Sequence, residues 1–85
     1  MKYIVQWREK ASTYLLAQLL RANDKPGMLA AAKEIEERLS RSPQDEGESR
    51  GGSHRLLFVR PLSVVFQVDE TSSTVYIDKV KWVGR

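Results

Sequence analysis

The hydrophobic period of this chain changes twice, near residue 8 and again near its middle, and those changes limit the folds open to it. From Arg8 to Ala22, Ala11, Leu15 and Leu19 recur at i, i+4 and i+8, with Leu16 and Leu20 widening the stripe. That spacing predicts an amphipathic helix. Asn23-Asp24-Lys25-Pro26 then interrupts the pattern. Asp24 is placed to cap a second helix, and Pro26 falls in its first turn, where a missing N–H costs little. The second helix is expected to run to about Ser40, with Leu29, Ala32, Ile35 and Leu39 on one face. Glu34–Arg38 and Glu37–Arg41 are i,i+4 pairs in the favourable order, worth ~0.3–0.5 kcal/mol each. So short a connection predicts an antiparallel helical hairpin.

Beyond Ser42-Pro43 the pattern is that of strands. Residues 44–53 are polar and contain Gly47, Gly51 and Gly52, which predicts a mobile surface loop. Residues 55–60 carry Leu56, Leu57, Phe58 and Val59, and Pro61 breaks the run. Residues 62–69 place Leu62, Val64, Phe66 and Val68 on one face, and 74–83 form a last strand after a polar turn. In that strand Val75 and Ile77 differ in parity from Val80 and Trp82, so a bulge near Asp78-Lys79 is needed to turn both pairs inward. Short connections make these three strands a meander. Lys2–Trp7 also alternates, with Tyr3, Val5 and Trp7 on one face, and must join the same sheet to bury them. The expectation is one α+β domain over 1–85, in the order β-α-α-β-β-β, with a helical hairpin packed on one face of an antiparallel sheet.

Eighty-five residues provide one core, and a domain of this size buries only roughly 60–65% of the surface its unfolded chain exposes. With no Cys and a single His, His54, neither a disulfide framework nor a Cys/His zinc site is available. No metal or cofactor is therefore expected, and a partner is the remaining means of support. No targeting segment is visible, and the charge-free stretch Ala11–Leu20 is too short to span a bilayer. A soluble cytoplasmic protein without a membrane partner is expected. Fourteen basic and eleven acidic residues give a net charge of +3. The basic excess gathers after residue 50, which suits either an anionic partner or a solvated surface. Neither GxxxxGK[ST] nor GxGxxG occurs.

His54 is the only imidazole acid or base, next to Arg55 at the start of a strand, where it is either a proton-transfer group or an inert loop residue. Arg55 and Arg60 bracket that strand and could place guanidinium groups on phosphate or on partner carboxylates. Lys79 and Lys81 share a strand face and, with Arg85, extend a basic stripe suited to nucleic acid. Equally, those lysines could protect an edge strand from aggregation. Tyr76 and Trp82 could stack on bases or simply pack. Glu46 and Glu48 are further carboxylates in the polar segment.

The stretch Arg55-Leu56-Leu57-Phe58-Val59-Arg60-Pro61-Leu62-Ser63-Val64-Val65-Phe66-Gln67-Val68-Asp69-Glu70, with Trp7 and Ala11 upstream and Ala32, Ile35, Leu39, Pro43 and Gly47 between, resembles the RelE/ParE toxin superfamily. The resemblance spans nearly the whole chain and implies the toxin of a type II toxin–antitoxin module, neutralised by a small antitoxin. RelE-like members bind the ribosomal A site and cut mRNA without a metal, whereas ParE-like members inhibit DNA gyrase. Carried over, basic positions on the family's second strand have counterparts in Arg55 and Arg60, while Leu57 and Phe58 occupy places where nucleases often carry more charge. Ser63 stands where an Arg is usual, and nothing in the sequence after the last strand matches the His, Arg or Tyr that nucleases place there. The rival expectation is a catalytically inactive RelE/ParE-like module that dimerises or binds protein; a homodimer is expected in either case.

Overall fold

The computed structural model describes residues 2–49 and 51–84. Strand β1 (Ile4–Trp7) leads into α1 (Glu9–Arg21) and α2 (Lys25–Arg41). A 3₁₀ turn (Pro43–Asp45) follows, then a two-residue strand β2 (Glu48–Ser49), β3 (His54–Val59), β4 (Leu62–Asp69) and β5 (Thr74–Trp82). The sheet order is β1-β5-β4-β3-β2. The expected two-layer α+β arrangement is present, with one difference in strand direction. The meander is antiparallel, but β1 pairs parallel to β5, from Ile4 opposite Thr74 to Trp7 opposite Ile77. The sheet is therefore mixed. The two helices that follow β1 supply the long crossover that a parallel pair requires and a hairpin turn cannot. Backbone bonds from Ile4 N–H to Ser73 O (2.9 Å) and from Arg8 N–H to Ile77 O (2.9 Å) fix that alignment.

The helices cover one face of the sheet. Ala11 of α1 and Met28, Ala31, Ala32, Ile35 and Leu39 of α2 are buried against Leu57, Val59, Leu62, Val64, Phe66, Val75, Ile77 and Val80. Leu15 and Leu19 complete the α1 contact, but Leu16 and Leu20 point away, Leu20 being 78% exposed. The stripe of α1 is narrower than its leucine content predicts. In α2, Met28 takes the inward place expected of Leu29, which is exposed. Asp24 caps this helix as expected, accepting from Gly27 N–H at 3.0 Å. On β1, Tyr3, Val5 and Trp7 pack against the core while Ile4 faces away. The Trp7 indole donates to Glu36 Oε2 (2.7 Å), tying the first strand to the second helix.

The bulge in β5 is where parity requires it. Val65 lies opposite Lys79 and Phe66 opposite Ile77, leaving Asp78 as the extra residue. Val75, Ile77 and Val80 consequently all reach the core. Trp82 has the same inward parity but sits at the end of the sheet, lining a hollow with Met28 and Pro61, and is half exposed.

The segment after α2 is more ordered than its polar composition predicts. Pro43 is buried, Glu48 and Ser49 pair with Leu56 and Arg55, and Arg38 holds the Glu46 carboxylate through Nε (3.0 Å) and Nη2 (2.6 Å). Gly47 adopts φ +73°, and a Cβ there would meet Leu56 O at 2.4 Å. Gly52 also has positive φ, +55°, but open space around it. Gly47→Ala is therefore expected to lower unfolding free energy by more than ~2 kcal/mol, and Gly52→Ala by only the ~1 kcal/mol of left-handed backbone strain. Urea denaturation of the two variants side by side checks the difference.

Candidate functional site

Helices leave the second face of the sheet uncovered, and the strand register assigns its residues in rows. Phe58, Ser63 and Lys81 form one row, and Leu56, Val65 and Lys79 the next. His54, Gln67 and Tyr76 form a third, which continues into Gln6 of β1. The first two rows floor a groove of about 370 Å³ in which Phe58 and Val65 lie between β3's edge and the two lysines. Phe58 is 54% exposed, against the strand-core position its apolar neighbours imply.

Asp78 organises the third row. As the bulge residue it projects onto this face beside Lys79, and its carboxylate is only 18% exposed. Arg8 Nε lies 2.7 Å from Oδ1, Gln67 Nε2 donates to Oδ2 at 2.6 Å, and His54 Nε2 lies 3.3 Å from the same Oδ2. The Arg8 guanidinium also stacks 4.5 Å from the centre of the Tyr76 ring. Ser53 Oγ donates to Gln67 Oε1 at 3.3 Å, continuing the network to the start of β3. A shallow hollow of about 520 Å³ beside it is lined by Gln6, Arg8, Tyr76 and Asp78.

The residues singled out from the sequence are thus divided by the fold. His54, Lys79 and Lys81 share the open face. Arg55, adjacent to His54, points to the other side, where its Nε donates to Glu46 O (2.9 Å) and its Nη2 to Gly47 O (3.1 Å). Arg60 is exposed in the β3–β4 turn, next to the cis peptide bond that precedes Pro61. Arg85, and Arg50 of the basic half, lie outside the described residues. Glu46 is engaged by Arg38, whose guanidinium its hydrogen bond holds more firmly in the charged form. Among the described residues, no group of three or more His, Cys, Asp or Glu side chains could hold a metal ion, and no helix is long and apolar enough to cross a membrane.

Sequence reasoning missed Arg8, Gln67 and Asp78 as members of a site. One signal was available: Asp disfavours strand interiors, yet Asp78 occupies the very position where parity demands an extra residue. Arg55 and the lysines should respond differently to truncation. Arg55→Ala strips two backbone carbonyls of charged donors and is expected to cost about 1–3 kcal/mol of stability. Lys81→Ala on the open face is expected to stay within about 0.5 kcal/mol of the parent, both read from urea midpoints.

No protein-family model matches the chain, and no curated protein matches it significantly in sequence. Solved structures do match over nearly its whole length. The isolated RelE toxin of E. coli superposes with a TM-score of 0.71 at 22% identity, over 98% of this chain and 86% of that one. A chain of the RelBE2 toxin–antitoxin complex from Mycobacterium tuberculosis gives 0.73 at 18% identity, over 96% and 92%. A chain of the chromosomal ParDE system from P. aeruginosa gives 0.67 at 22% identity, over 96% and 97%. Two helices packed on one face of a five-stranded mixed sheet, matched end to end by these structures, give this chain the RelE/ParE toxin fold.

Proposed function

We propose that this chain is the toxin member of a RelE/ParE-type toxin–antitoxin pair, acting in the cytoplasm on ribosome-bound mRNA and held inactive by a small antitoxin. The observation that carries this reading is the convergence of His54, Lys79 and Lys81 on the one sheet face that the helices leave open. Lysines suit the phosphates of a single strand, and an imidazole suits proton transfer at a 2′-hydroxyl, so the set fits metal-free phosphodiester cleavage. The matched structures, in which RelE and ParE chains are paired with antitoxins, support the antitoxin partner.

A second reading draws on the same face. Leu56, Phe58, Val65 and Val83 line an apolar groove beside the two lysines, and Arg55 is committed to backbone carbonyls rather than to solvent. Such a surface also suits a non-enzymatic module that dimerises or binds protein. Induction of the protein in a bacterial host separates the two. Growth arrest with cleavage of ribosome-bound transcripts, relieved by co-expression of a neighbouring small partner and weakened at least ~10-fold by Lys79→Ala/Lys81→Ala, is the expected outcome. Arrest with intact transcripts and relaxed DNA would point instead to gyrase inhibition. Normal growth with a stable dimer in solution would establish the non-enzymatic reading.

A further inference from the structure

We propose that Asp78 and His54 form the proton-transfer unit of this face, with His54 as the group that touches RNA and Asp78 as its positioning residue. The inference rests on the reading of the chain as an RNA-cleaving toxin and adds to it the residue that holds the imidazole in place.

Asp78 is a residue the ladder does not need. With it removed, Ile77, Lys79, Val80, Lys81 and Trp82 would alternate in, out, in, out, in, so the same core would form on an unbroken strand. The extra residue instead inserts a carboxylate into the open face and shields it from water. Arg8 and Gln67 hold that carboxylate on both oxygens, so its position is fixed before any substrate arrives. A bulge beside an active site commonly serves to re-aim a side chain in this way.

His54 lies against this anchor through Nε2 and is 46% exposed. An ionised carboxylate at that nitrogen favours the tautomer with the proton on Nε2, leaving Nδ1 as a free acceptor. Lys79 belongs to the next row, about 7 Å along the strands. That spacing suits one phosphodiester, with its phosphate near the lysine and the preceding 2′-hydroxyl near the imidazole. His54 Nδ1 takes the 2′-hydroxyl proton, the 2′-oxygen bonds to phosphorus, and the P–O5′ bond breaks. The 5′-oxygen leaves with a proton from solvent water, giving a 2′,3′-cyclic phosphate and a 5′-hydroxyl. The imidazolium returns its proton to solvent, so the step needs no co-reactant. The charged and titratable groups around His54 are Asp78, Arg8, Tyr76 and Lys79.

The test compares wild type, His54→Gln, Asp78→Asn and a deletion of Asp78, each checked for folding by circular dichroism, in cleavage of mRNA on programmed ribosomes. His54→Gln is expected to slow cleavage ~10²–10⁴-fold, with the cyclic phosphate end lost in proportion. Asp78→Asn and the deletion should lower kcat with little change in KM. In ¹⁵N spectra of the free protein, the preference of neutral His54 for the Nε2–H form should weaken in both. Wild-type cleavage that His54→Gln leaves at full rate would overturn this inference and leave the toxin reading standing. Wild-type protein that folds but leaves ribosome-bound mRNA intact would overturn both. Unchanged kcat and tautomer in the folded Asp78 variants would remove Asp78 from its positioning role.

Discussion

Strand β5 can serve the core only because it carries one residue more than its partner. Upstream of the bulge, Val75 and Ile77 face the helices; downstream, Val80 does so with the opposite parity, and Asp78 absorbs the mismatch. β5 is also the strand on which α1 packs and with which β1 and β4 both pair. A slip of one residue there would turn Lys79 and Lys81 toward the helices and Val80 toward water. Register at this strand therefore decides the core, the identity of the open face and the presence of a shielded carboxylate on it.

The segment between α2 and β3 depends on a second set of contacts, made by groups that look like solvent residues in the sequence. Arg38 reaches from the last turns of α2 to Glu46, while Arg55 reaches from β3 to the carbonyls of Glu46 and Gly47. Gly47 allows the backbone to pass against Leu56 O where a side chain would not fit. Tyr3, Gln44 and Glu70 meet at the other end of the turn, with the Tyr3 hydroxyl donating to Glu70 at 2.7 Å. These ties give β2 a place at the edge of the sheet although it is only two residues long. They also explain why adjacent residues diverge in role. His54 and Arg55 alternate across a strand, so one faces the open surface and the other braces the preceding segment.

Core and surface separate chemically on the two faces of the same sheet. The centre of the covered face is largely aliphatic around Phe66, which is fully buried and whose burial contributes about 1.5–3 kcal/mol. The open face mixes an apolar floor at Leu56, Phe58 and Val65 with lysines on one side and the Arg8–Asp78–His54 network at one end. An exposed apolar patch rimmed by charges in this way commonly marks an interaction surface.

Periodicity in the sequence determined β1, the two helices and the three strands of the meander, the inward residues of β1 and β4, Ala32, Ile35 and Leu39 of α2, the Asp24 cap and the bulge near Asp78, because each follows from local spacing or backbone chemistry. Local spacing did not reveal that β1 runs parallel to β5, since a strand separated from its partner by a helical crossover can pair in either direction and only tertiary pairing selects one. Nor did it reveal that Leu16, Leu20 and Phe58 stay exposed, because exposure depends on how much of each face a neighbouring layer reaches. The site divided along the same line. His54, Lys79 and Lys81 stood out by residue type, but their common face and their separation from Arg55 follow from register. Arg8, Gln67 and Asp78 come from three separate parts of the chain, and only tertiary pairing brings them to one carboxylate.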